Sequence, residues 1–586
     1  MATFAAWDYV VLALVLIVSA AIGVYYRMTG GKQKTTKEYL LADRSMPVFP
    51  VAFSLMASFM SAVTLLGVSM ENYTFGTQFV VINFAYVLAT PIATRVILPV
   101  FYNLRTASVY EYLEWRFGFP ARLYASLAFS LQMILYMGIV LYAPALALEA
   151  VTGLNRVGSI FAIGLVCTFY STIGGMKAVV VTDVFQSLLM FVAIFSVIIC
   201  AGIKAGGLGT IWEVAQEGGR IEFDNFSFDP TVRHTWWGLV IGGMFTYLTL
   251  YGVNQTQVQR LLSVKDFSSA QLSLWWNLPI LMLLSFSTSF SGLCIYWYYR
   301  GCDPLLEGRI ASRDQLMPLF VVDNMGHIPG ISGLFVSGIF CASLSTISSA
   351  ISSLAAVTLE DYLKPIHNKL FKKEITDNKT VFVTKIIASV YGLLCIGLAF
   401  AAQNLGGVLQ ASLTIFGVVG GPLFGLFMLG MLTTRANQKG ALVGITLGFM
   451  MSFWIGFGQP KPPPPVLEFS IDQCPVDKGF SNVQDILMQR AEQTDYFWLY
   501  RLSYMWYSAI GFLVTFVCGY FISWLFAVLK FDNNDNLYLD KARTCINTSL
   551  LAPFVARKLK RFNESSTQTD EIEACTTPIS TIVSQL

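Results

Sequence analysis

Residues 184–203 have the sequence VFQSLLMFVAIFSVIICAGI, twenty residues that include no charged side chain. A bilayer has a hydrocarbon core about 30 Å thick, which needs about 20 mostly apolar residues in a helix, so this stretch predicts a transmembrane span. Comparable windows recur from Trp7 to Leu529, and the chain is 55% hydrophobic and 12% charged, against roughly 45–50% and 25% in soluble domains. Because backbone groups must be hydrogen-bonded inside hydrocarbon, windows this long predict an all-α polytopic membrane protein rather than a barrel.

About 13 apolar windows are candidate transmembrane helices. They lie at Tyr9–Tyr26, Val48–Ser69, Phe79–Tyr102, Tyr124–Leu148, Ser159–Ile173, Val184–Ile203, Trp236–Val253, Ser273–Tyr298, Ile331–Val357, Val383–Ala402, Val408–Leu432, Ala441–Gly458 and Met505–Leu529. The first window has no basic residue before it and no small-residue cleavage site after it. We therefore expect a retained helix there rather than a signal peptide.

Basic residues between these windows predict the orientation of the chain. They concentrate in alternate loops, at Arg27, Lys32, Lys34 and Lys37, at Arg105, Arg116 and Arg122, at Arg260 and Lys265, at Lys364, Lys369, Lys372 and Lys373, and at Arg435 and Lys439. By the positive-inside rule these loops are cytoplasmic, which puts the N-terminus outside and the C-terminal tail inside. The formal net charge of +3 gives no basic patch of the kind that binds nucleic acid, so none is expected as a partner.

Two features fall in the predicted extracellular loops. Eight of the ten cysteines lie in spans or in the tail, and only Cys302 and Cys474 lie outside. These two can form a disulfide in an oxidising compartment or stay apart, since sequence gives no distance between them. Asn225, in Asn225-Phe226-Ser227, is a candidate glycosylation site in the loop after the sixth window.

Hydroxyl side chains are unusually dense in two windows, around Ser54–Thr64 and around Ser343–Ser353. Single hydroxyls in membrane helices commonly serve close helix packing or bond back to their own backbone. A cluster is also suited to sodium, a hard cation that binds oxygen ligands, especially where a helix unwinds and frees its carbonyls. The ninth window is therefore the leading candidate for a cation site.

Asp183 opens the sixth window and is an ionisable residue close to the membrane. It has two open interpretations: a cap that favours the helix dipole, or a carboxylate that attracts a cation. An enzyme would need a nucleophile and a base, or a metal site, in one place. The three histidines, His234, His327 and His367, all lie in predicted loops, so we expect a protein that is not an enzyme.

Several motifs are similar to those of the sodium:solute symporter family, also called the sodium/glucose cotransporter family. They are STIGGMKAV at 171–179 with TDVFQ at 182–186, PVFY at 99–102 with YEYLE at 110–114, NQTQVQR at 254–260, and CDPLL at 302–306. ASFMSAV at 57–63 and LST at 344–346 resemble the branch of monocarboxylate, multivitamin and iodide transporters. The sugar branch usually has a Trp-Trp pair where this chain has Pro47-Val48-Phe49, which makes glucose or inositol a weaker choice.

The resemblance implies a leucine-transporter-like fold, a 5+5 inverted repeat whose first helices are broken near Ala57–Met60 and near Tyr247–Asn254. Each unit crosses the membrane five times, which is an odd number, so the second unit begins on the opposite side of the membrane and is inverted relative to the first. The expected segments are 1–47 (outside N-terminus, first helix and cytoplasmic loop), 48–203 (first repeat), 204–235 (extracellular loop), 236–432 (second repeat), 433–530 (last two helices with an extracellular loop) and 531–586 (disordered cytoplasmic tail).

The resemblance also implies the site residues. The sodium site would use the carbonyls of Ala57, Met60 and Ala342 and the hydroxyls of Ser345 and Thr346, with Asp183 assisting from the cytoplasmic side. The solute pocket would lie near Phe59, Thr64, Tyr136, Tyr247 and Leu413. Thr64 replaces the glutamine of the iodide carrier and Tyr247 its tryptophan, which argues against iodide.

These inferences predict a plasma-membrane symporter that imports a small organic anion, a monocarboxylate or a carboxylate vitamin such as biotin or pantothenate, with co-transported Na+ and no organic cofactor. The alternatives are an iodide or sugar symporter, or an uncoupled channel or sensor on the same fold. The last residues, Ser584 to Leu586, resemble peptides that add a strand to a PDZ domain, although the tail composition equally suits a solvated segment.

Overall fold

The computed structural model describes residues 4–29, 35–104, 106–153, 155–372, 377–402, 407–474, 496–529 and 547–565. The proposed PDZ-binding end, Ser584 to Leu586, lies outside the described residues. The architecture of the described part is helical, with an isolated β-bridge between Met46 and Val264.

The principal helices are labelled here in chain order. They are α1 Ala6–Met28, α2 Val48–Phe59, α3 Ala62–Phe75, α4 Thr77–Leu104, α5 Phe119–Thr152, α6 Arg156–Phe169, α7 Gly175–Ala205, α8 Gly238–Tyr251, α9 Gln255–Leu261, α10 Phe267–Tyr299, α11 Ile331–Phe371, α12 Lys379–Ala401, α13 Val408–Leu432, α14 Gln438–Phe457, α15 Tyr504–Val528 and α16 Pro553–Ser565. Shorter helices at Thr36–Leu41, Glu111–Phe117, Leu208–Glu217 and Leu316–Met325 lie in the connections.

Within the described ranges, ten helices are long and apolar enough to span a membrane, or eleven if the bent pair α2 and α3 counts as one span. This is fewer than the 13 predicted spans. The other two windows, Ser159–Ile173 and Trp236–Val253, coincide with the shorter apolar helices α6 and α8. An α-helix rises about 1.5 Å per residue, so a 14-residue helix of this kind is shorter than the hydrocarbon core.

Large apolar side chains cover the outer surface of the helices. Ile17 in α1 is 67% exposed, Ile203 in α7 is 76% exposed, and Phe382 in α12 is 65% exposed. In water such a surface would be an aggregation liability, whereas in a bilayer it meets hydrocarbon. The exposure therefore agrees with a multi-pass membrane protein.

Both helices that the sequence predicts to be broken are broken in the structure. The axes of α2 and α3 differ by 62° across Met60 and Ser61, and the Ser61 hydroxyl caps α3 by accepting from the Val63 N–H (3.1 Å). The second break lies between α8 and α9, where the Asn254 side chain accepts from the Thr256 N–H (2.9 Å). Side-chain caps of this kind satisfy donors at a helix start, which makes an interruption inside a span stable.

The interior of the bundle is formed where α2, α7, α9 and α11 pack against one another. Both breaks therefore face the hydroxyl-rich helix α11, whose residues Ser343, Ser345, Thr346, Ser348 and Ser349 are all buried.

The C-terminal segment differs in part from the predicted disordered tail of residues 531–586. A 3-10 turn at Thr548–Leu550 and the helix α16 are ordered there. Leu550 and Ala552 are buried, the Ala552 N–H donates to the Met431 carbonyl (3.0 Å), and the Tyr112 hydroxyl donates to the Leu550 carbonyl (3.1 Å). The prediction of disorder is wrong for residues 547–565 because a short apolar patch docks them onto the membrane domain.

Cys302 and Cys474 form a disulfide, with their Cα atoms 5.0 Å apart. Asn225 lies half-buried in the loop before α8, where its carbonyl accepts from the Trp236 N–H (3.0 Å). The guanidinium of Arg220 in that loop donates to the Glu468 carbonyl (2.5 Å), a few residues before the disulfide. The Asn225 loop and the disulfide therefore lie on one side of the molecule.

Candidate functional site

The buried carboxylate of Asp183, in α7, is at the centre of a polar cluster between four helices. The Ser345 hydroxyl of α11 donates to Oδ1 (2.5 Å), and the Ser54 hydroxyl of α2 donates to Oδ2. The Arg260 guanidinium of α9 lies 3.5 Å from Oδ2 and also donates to Ser54 through Nε (2.8 Å). Asp183 does not cap the start of a helix, because α7 begins at Gly175; its carboxylate instead connects α2, α9 and α11.

The predicted sodium ligands lie next to this cluster, at the end of α2. The Thr346 hydroxyl donates to the carbonyls of Ala57 (3.2 Å) and Ala342 (3.1 Å), so these three oxygens lie together. The Ser345 hydroxyl donates to Asp183. Met60, the sixth predicted residue, ends α2 at the break and lines the adjoining cavity. The structure thus forms two bonded groups, Thr346 with the Ala57 and Ala342 carbonyls and Ser345 with Asp183, which are adjacent because Ser345 and Thr346 are consecutive in α11. Met60 lies at their edge.

The chemistry of this group suits a hard monovalent cation. Its members offer carbonyl and hydroxyl oxygens, and the Ser345 hydroxyl is bonded to the Asp183 carboxylate. Oxygen ligands are the ones that such cations prefer. The interruption at Met60 and Ser61 matters because carbonyls at the end of α2 have no amide donor from a continuing helix. The Ala57 carbonyl, which accepts from the Thr346 hydroxyl, is therefore a candidate ligand for a cation at this position.

The stretch NQTQVQR at 254–260 holds the broken region together. Gln257 Nε2 donates to the Leu55 carbonyl in α2 (2.8 Å), and Gln259 Nε2 donates to the Leu40 carbonyl (2.8 Å). Gln255 accepts from the Val109 N–H (2.8 Å). Because each amide side chain bonds to the backbone of a different segment, α9 fixes α2 on one side of the ion site.

A cavity of about 90 Å³ lies on the other side of the break and is lined mainly by aromatic and aliphatic side chains. Its lining includes all five residues predicted to contact the solute, Phe59, Thr64, Tyr136, Tyr247 and Leu413. The structure therefore brings the whole predicted solute set together in one place. Met60 also lines it, so the cavity and the oxygen cluster share the end of α2.

Aromatic rings give the cavity its shape. The rings of Tyr136 and Phe416 are edge-to-face at 4.6 Å, and Phe59 lies 5.5 Å from Phe416. Tyr247 and Tyr251 are stacked at 4.4 Å. The Tyr136 hydroxyl lies 3.4 Å from the Phe59 carbonyl, at the break, and the Tyr247 hydroxyl is 3.1 Å from Thr90. The lining also carries hydroxyl groups, among them those of Thr64, Ser285 and Ser412, but its surface is mostly apolar.

An ion pair lies on the predicted extracellular side of this cavity. Arg233 Nε donates to Glu71 Oε1 in α3 (2.7 Å), and its Nη1 donates to Gln410 in α13 (2.9 Å). Arg233 and Gln410 also line a larger vestibule of about 500 Å³. Asp314 is in that lining, and burial raises the pKa of its carboxyl to about 6. These contacts close α3 against α13 above the cavity.

Sequence reasoning missed three contributors to the site. The pattern of basic residues predicts Arg260 in a cytoplasmic loop, yet its side chain is fully buried against Asp183. Ser54 and Gln257 are not among the predicted site residues, although Ser54 donates to Asp183 and Gln257 donates to the Leu55 carbonyl in α2. For Gln257, the sequence does contain an indication: several amide side chains lie close together in NQTQVQR, directly after a predicted helix break.

Comparison with known proteins assigns the chain to a family. The model of the sodium:solute symporter family matches residues 39–448. A Drosophila melanogaster protein named "Putative sodium-dependent multivitamin transporter" is 65% identical over 96% of this chain and 93% of its own length. The human sodium-coupled monocarboxylate transporter 1 is 46% identical over 89% of this chain and 87% of its own length.

A solved structure shares the fold. An outward-open, substrate-bound Na+-coupled sialic acid symporter superposes with a TM-score of 0.74 at 26% identity, covering 89% of this chain and 98% of that chain. These matches extend over almost the whole membrane domain, so they concern the fold and both halves of the site. The chain belongs to the sodium:solute symporter family, in the branch of the sodium-coupled monocarboxylate and multivitamin transporters, and is a sodium-coupled membrane transporter rather than an enzyme.

Proposed function

We propose that this symporter imports a small organic anion, a monocarboxylate or a carboxylate vitamin such as biotin or pantothenate, across the plasma membrane. Sodium binds among Ala57, Met60, Ala342, Ser345 and Thr346, with Asp183 nearby, and the solute binds in the cavity lined by Phe59, Thr64, Tyr136, Tyr247 and Leu413. The observation that carries the proposal is that an aromatic cavity and an oxygen cluster both adjoin the same end of α2.

The chemistry of the cavity favours a carboxylate with an apolar body. An apolar tail matches the aromatic and aliphatic lining, while the charged end can lie toward bound sodium and the helix termini at the break. A sugar would leave several hydroxyls without partners there, at a cost of about 1–3 kcal/mol each. The printed names of the two relatives, a multivitamin and a monocarboxylate transporter, support the same solute class.

Alternating access follows from an inverted repeat of residues 48–203 and 236–432, with the N-terminus outside and the tail inside. Each unit begins with a broken helix, which supports this division. Sodium stabilises the contact of α2 with α11, which shapes the cavity, and opening to the low-sodium cytoplasm releases both. The membrane potential contributes about 2.3 kcal/mol per charge per 100 mV, so an excess of sodium over anion drives accumulation.

Uptake by cells expressing the chain tests the proposal. Lactate, pyruvate, butyrate, biotin, pantothenate, iodide and glucose are each offered with sodium and with choline in its place. We expect sodium-dependent uptake of at least one carboxylate, with inward current, and none of glucose. Sodium-driven glucose or iodide uptake without any response to the carboxylates would reject the proposed solute class, and equal uptake in choline would reject coupling.

A further inference from the structure

The helix α16 presents a cluster of basic side chains. Arg557, Lys558, Lys560 and Arg561 lie within five residues, and all four side chains are exposed. Phe554, one turn before them, is 52% exposed, while Val555 and Leu559 are half-buried. An amphipathic helix with exposed cations and an exposed aromatic ring is typical of helices that lie at a membrane surface.

A cavity of about 300 Å³ separates this helix from the end of α4. Its polar lining comes from Arg557 and Lys560 of α16, from the hydroxyl residues Thr548 and Ser549, and from Asn103 of α4. The lining residues include no aspartate or glutamate. Guanidinium, ammonium and hydroxyl groups around one space are the donors that bind phosphate oxygens.

The position of the cavity indicates where such a phosphate would come from. The segment Ala93–Ile97 of the transmembrane helix α4, which carries the exposed Arg95, packs against α16. The cavity therefore lies beside the end of a span, on the side that the basic loops assign to the cytoplasm. The cytoplasmic leaflet carries anionic lipids, and basic residues near its surface attract them.

We propose that the cavity between α16 and the end of α4 binds the phosphorylated headgroup of an anionic lipid of the cytoplasmic leaflet. Arg557 and Lys560 pair with the phosphate, Thr548, Ser549 and Asn103 supply hydrogen bonds, and Phe554 lies among the adjacent acyl chains. The lipid joins the C-terminal helix to α4, which lies in the first predicted repeat.

The test uses the full-length protein purified into nanodiscs. Discs contain phosphatidylcholine alone, with phosphatidylserine, or with phosphatidylinositol 4,5-bisphosphate, and retained lipid is measured by native mass spectrometry after release into detergent. The variant Arg557→Glu with Lys560→Glu alters the cavity. The variant Lys558→Glu with Arg561→Glu has the same charge change on the same helix but alters residues that do not line the cavity.

We expect the protein to retain the bisphosphate lipid more than phosphatidylcholine. The cavity variant should lose at least tenfold in retention, because it loses the charge-assisted hydrogen bonds to the phosphate in addition to the general attraction of basic residues to anionic lipid, which both variants weaken equally. The matched variant should lose much less. Equal losses in the two variants would overturn the proposal, because they would indicate attraction by net charge alone. Equal retention of all lipids would overturn it too, as would binding of soluble inositol trisphosphate or inorganic phosphate without retention of the lipid.

Discussion

At the residue scale, the pair formed by Asp183 and Arg260 places two charges in the interior of the bundle. Both side chains are fully buried, 3.5 Å apart. Removing charges from water is expensive, and mutual attraction with additional hydrogen bonds only offsets that cost. Ser54 and Ser345 supply such bonds to the carboxylate, so the cluster is stable only when its partners are all present.

Replacing Arg260 by methionine should therefore destabilise the protein, because it leaves Asp183 as an unpaired buried charge, at a cost of about 3–5 kcal/mol. We expect less mature protein at the cell surface and a lower melting temperature in detergent, measured by surface biotinylation and by thermal size-exclusion chromatography. Adding Asp183→Asn should recover much of both. Arg95→Met is the matched control, since Arg95 is exposed, and a normal melting temperature for Arg260→Met would refute the argument.

Substitution of Thr346 tests the proposed sodium site without the loss of stability expected for Arg260→Met. Thr346→Ala removes the hydroxyl that contacts the carbonyls of Ala57 and Ala342, and one such group is worth about 1 kcal/mol. We expect the sodium concentration for half-maximal uptake to rise roughly fivefold, with surface expression retained, and a similar rise for Ser345→Ala.

Ser343→Ala is the control for these variants, since the Ser343 hydroxyl donates to the Val140 carbonyl (3.0 Å), away from the site. Sodium titrations of uptake in all three variants decide the matter. An unchanged sodium dependence in both Thr346→Ala and Ser345→Ala would remove this site from the mechanism.

The family resemblance names residues that lie close together in the structure, whereas the charge pattern misplaces Arg260. The Thr346 hydroxyl lies at the end of α2, and the five residues predicted to contact the solute line one cavity. Arg260 was interpreted as a loop residue because a basic side chain after an apolar window usually marks the cytoplasm. Its burial depends on Asp183, which is 77 positions earlier in the chain, and no local pattern reports such a pairing.

At the element scale, the spacing between α3 and α13 depends on a single glycine. A Cβ at Gly67 would lie 2.6 Å from the Cβ of Leu409. Leu409 is at the start of α13, the helix that also contributes Leu413 to the cavity and Gln410 to the ion pair above it. A side chain at position 67 must therefore push α13 away from α3.

Gly67→Ala should lower solute uptake severalfold while sodium dependence changes little, because overpacking of this kind costs about 1–3 kcal/mol and displaces the cavity wall. Gly397→Ala in α12 is the matched control, since nothing lies within 4 Å of a Cβ there. The measurement is the uptake KM and maximal rate per molecule at the surface. Wild-type kinetics in Gly67→Ala would show that α13 adapts without affecting the solute.

Helices that are defined by a long apolar stretch could be predicted from the sequence. Helices whose order depends on packing against the rest of the molecule could not. The ten long spans follow from hydropathy, whereas α6 and α8 are too short to meet the same criterion. The helix α16 was missed because its composition is basic and polar, and its order depends on Leu550 and Ala552 reaching the membrane domain. A disordered segment and a docked amphipathic helix have similar compositions.

At the scale of the whole molecule, orientation is the property on which both proposals depend. The solute site needs an extracellular entrance, and the lipid site needs the cytoplasmic leaflet. The disulfide between Cys302 and Cys474 bears on this, because such bonds persist in oxidising compartments. The Arg233 and Glu71 contact lies on the same side as the disulfide loop. Thr77, six residues after Glu71, donates its N–H to the Arg220 carbonyl (2.8 Å), and the Arg220 guanidinium donates to the Glu468 carbonyl.

Single cysteine variants can therefore determine the orientation. Cys302→Ser frees the thiol of Cys474, and we expect intact cells expressing it to react with a membrane-impermeant maleimide, because Cys474 lies in a loop predicted to be outside. Wild-type protein should react weakly, since its described free cysteines lie within the apolar helices of the membrane domain, which a membrane-impermeant reagent does not enter. Cys545, in the predicted cytoplasmic segment, serves as the inside marker and should react only after permeabilisation. If Cys474 reacted only in permeabilised cells, the whole chain would be inverted, and the entrance proposed for the solute would open to the cytoplasm instead.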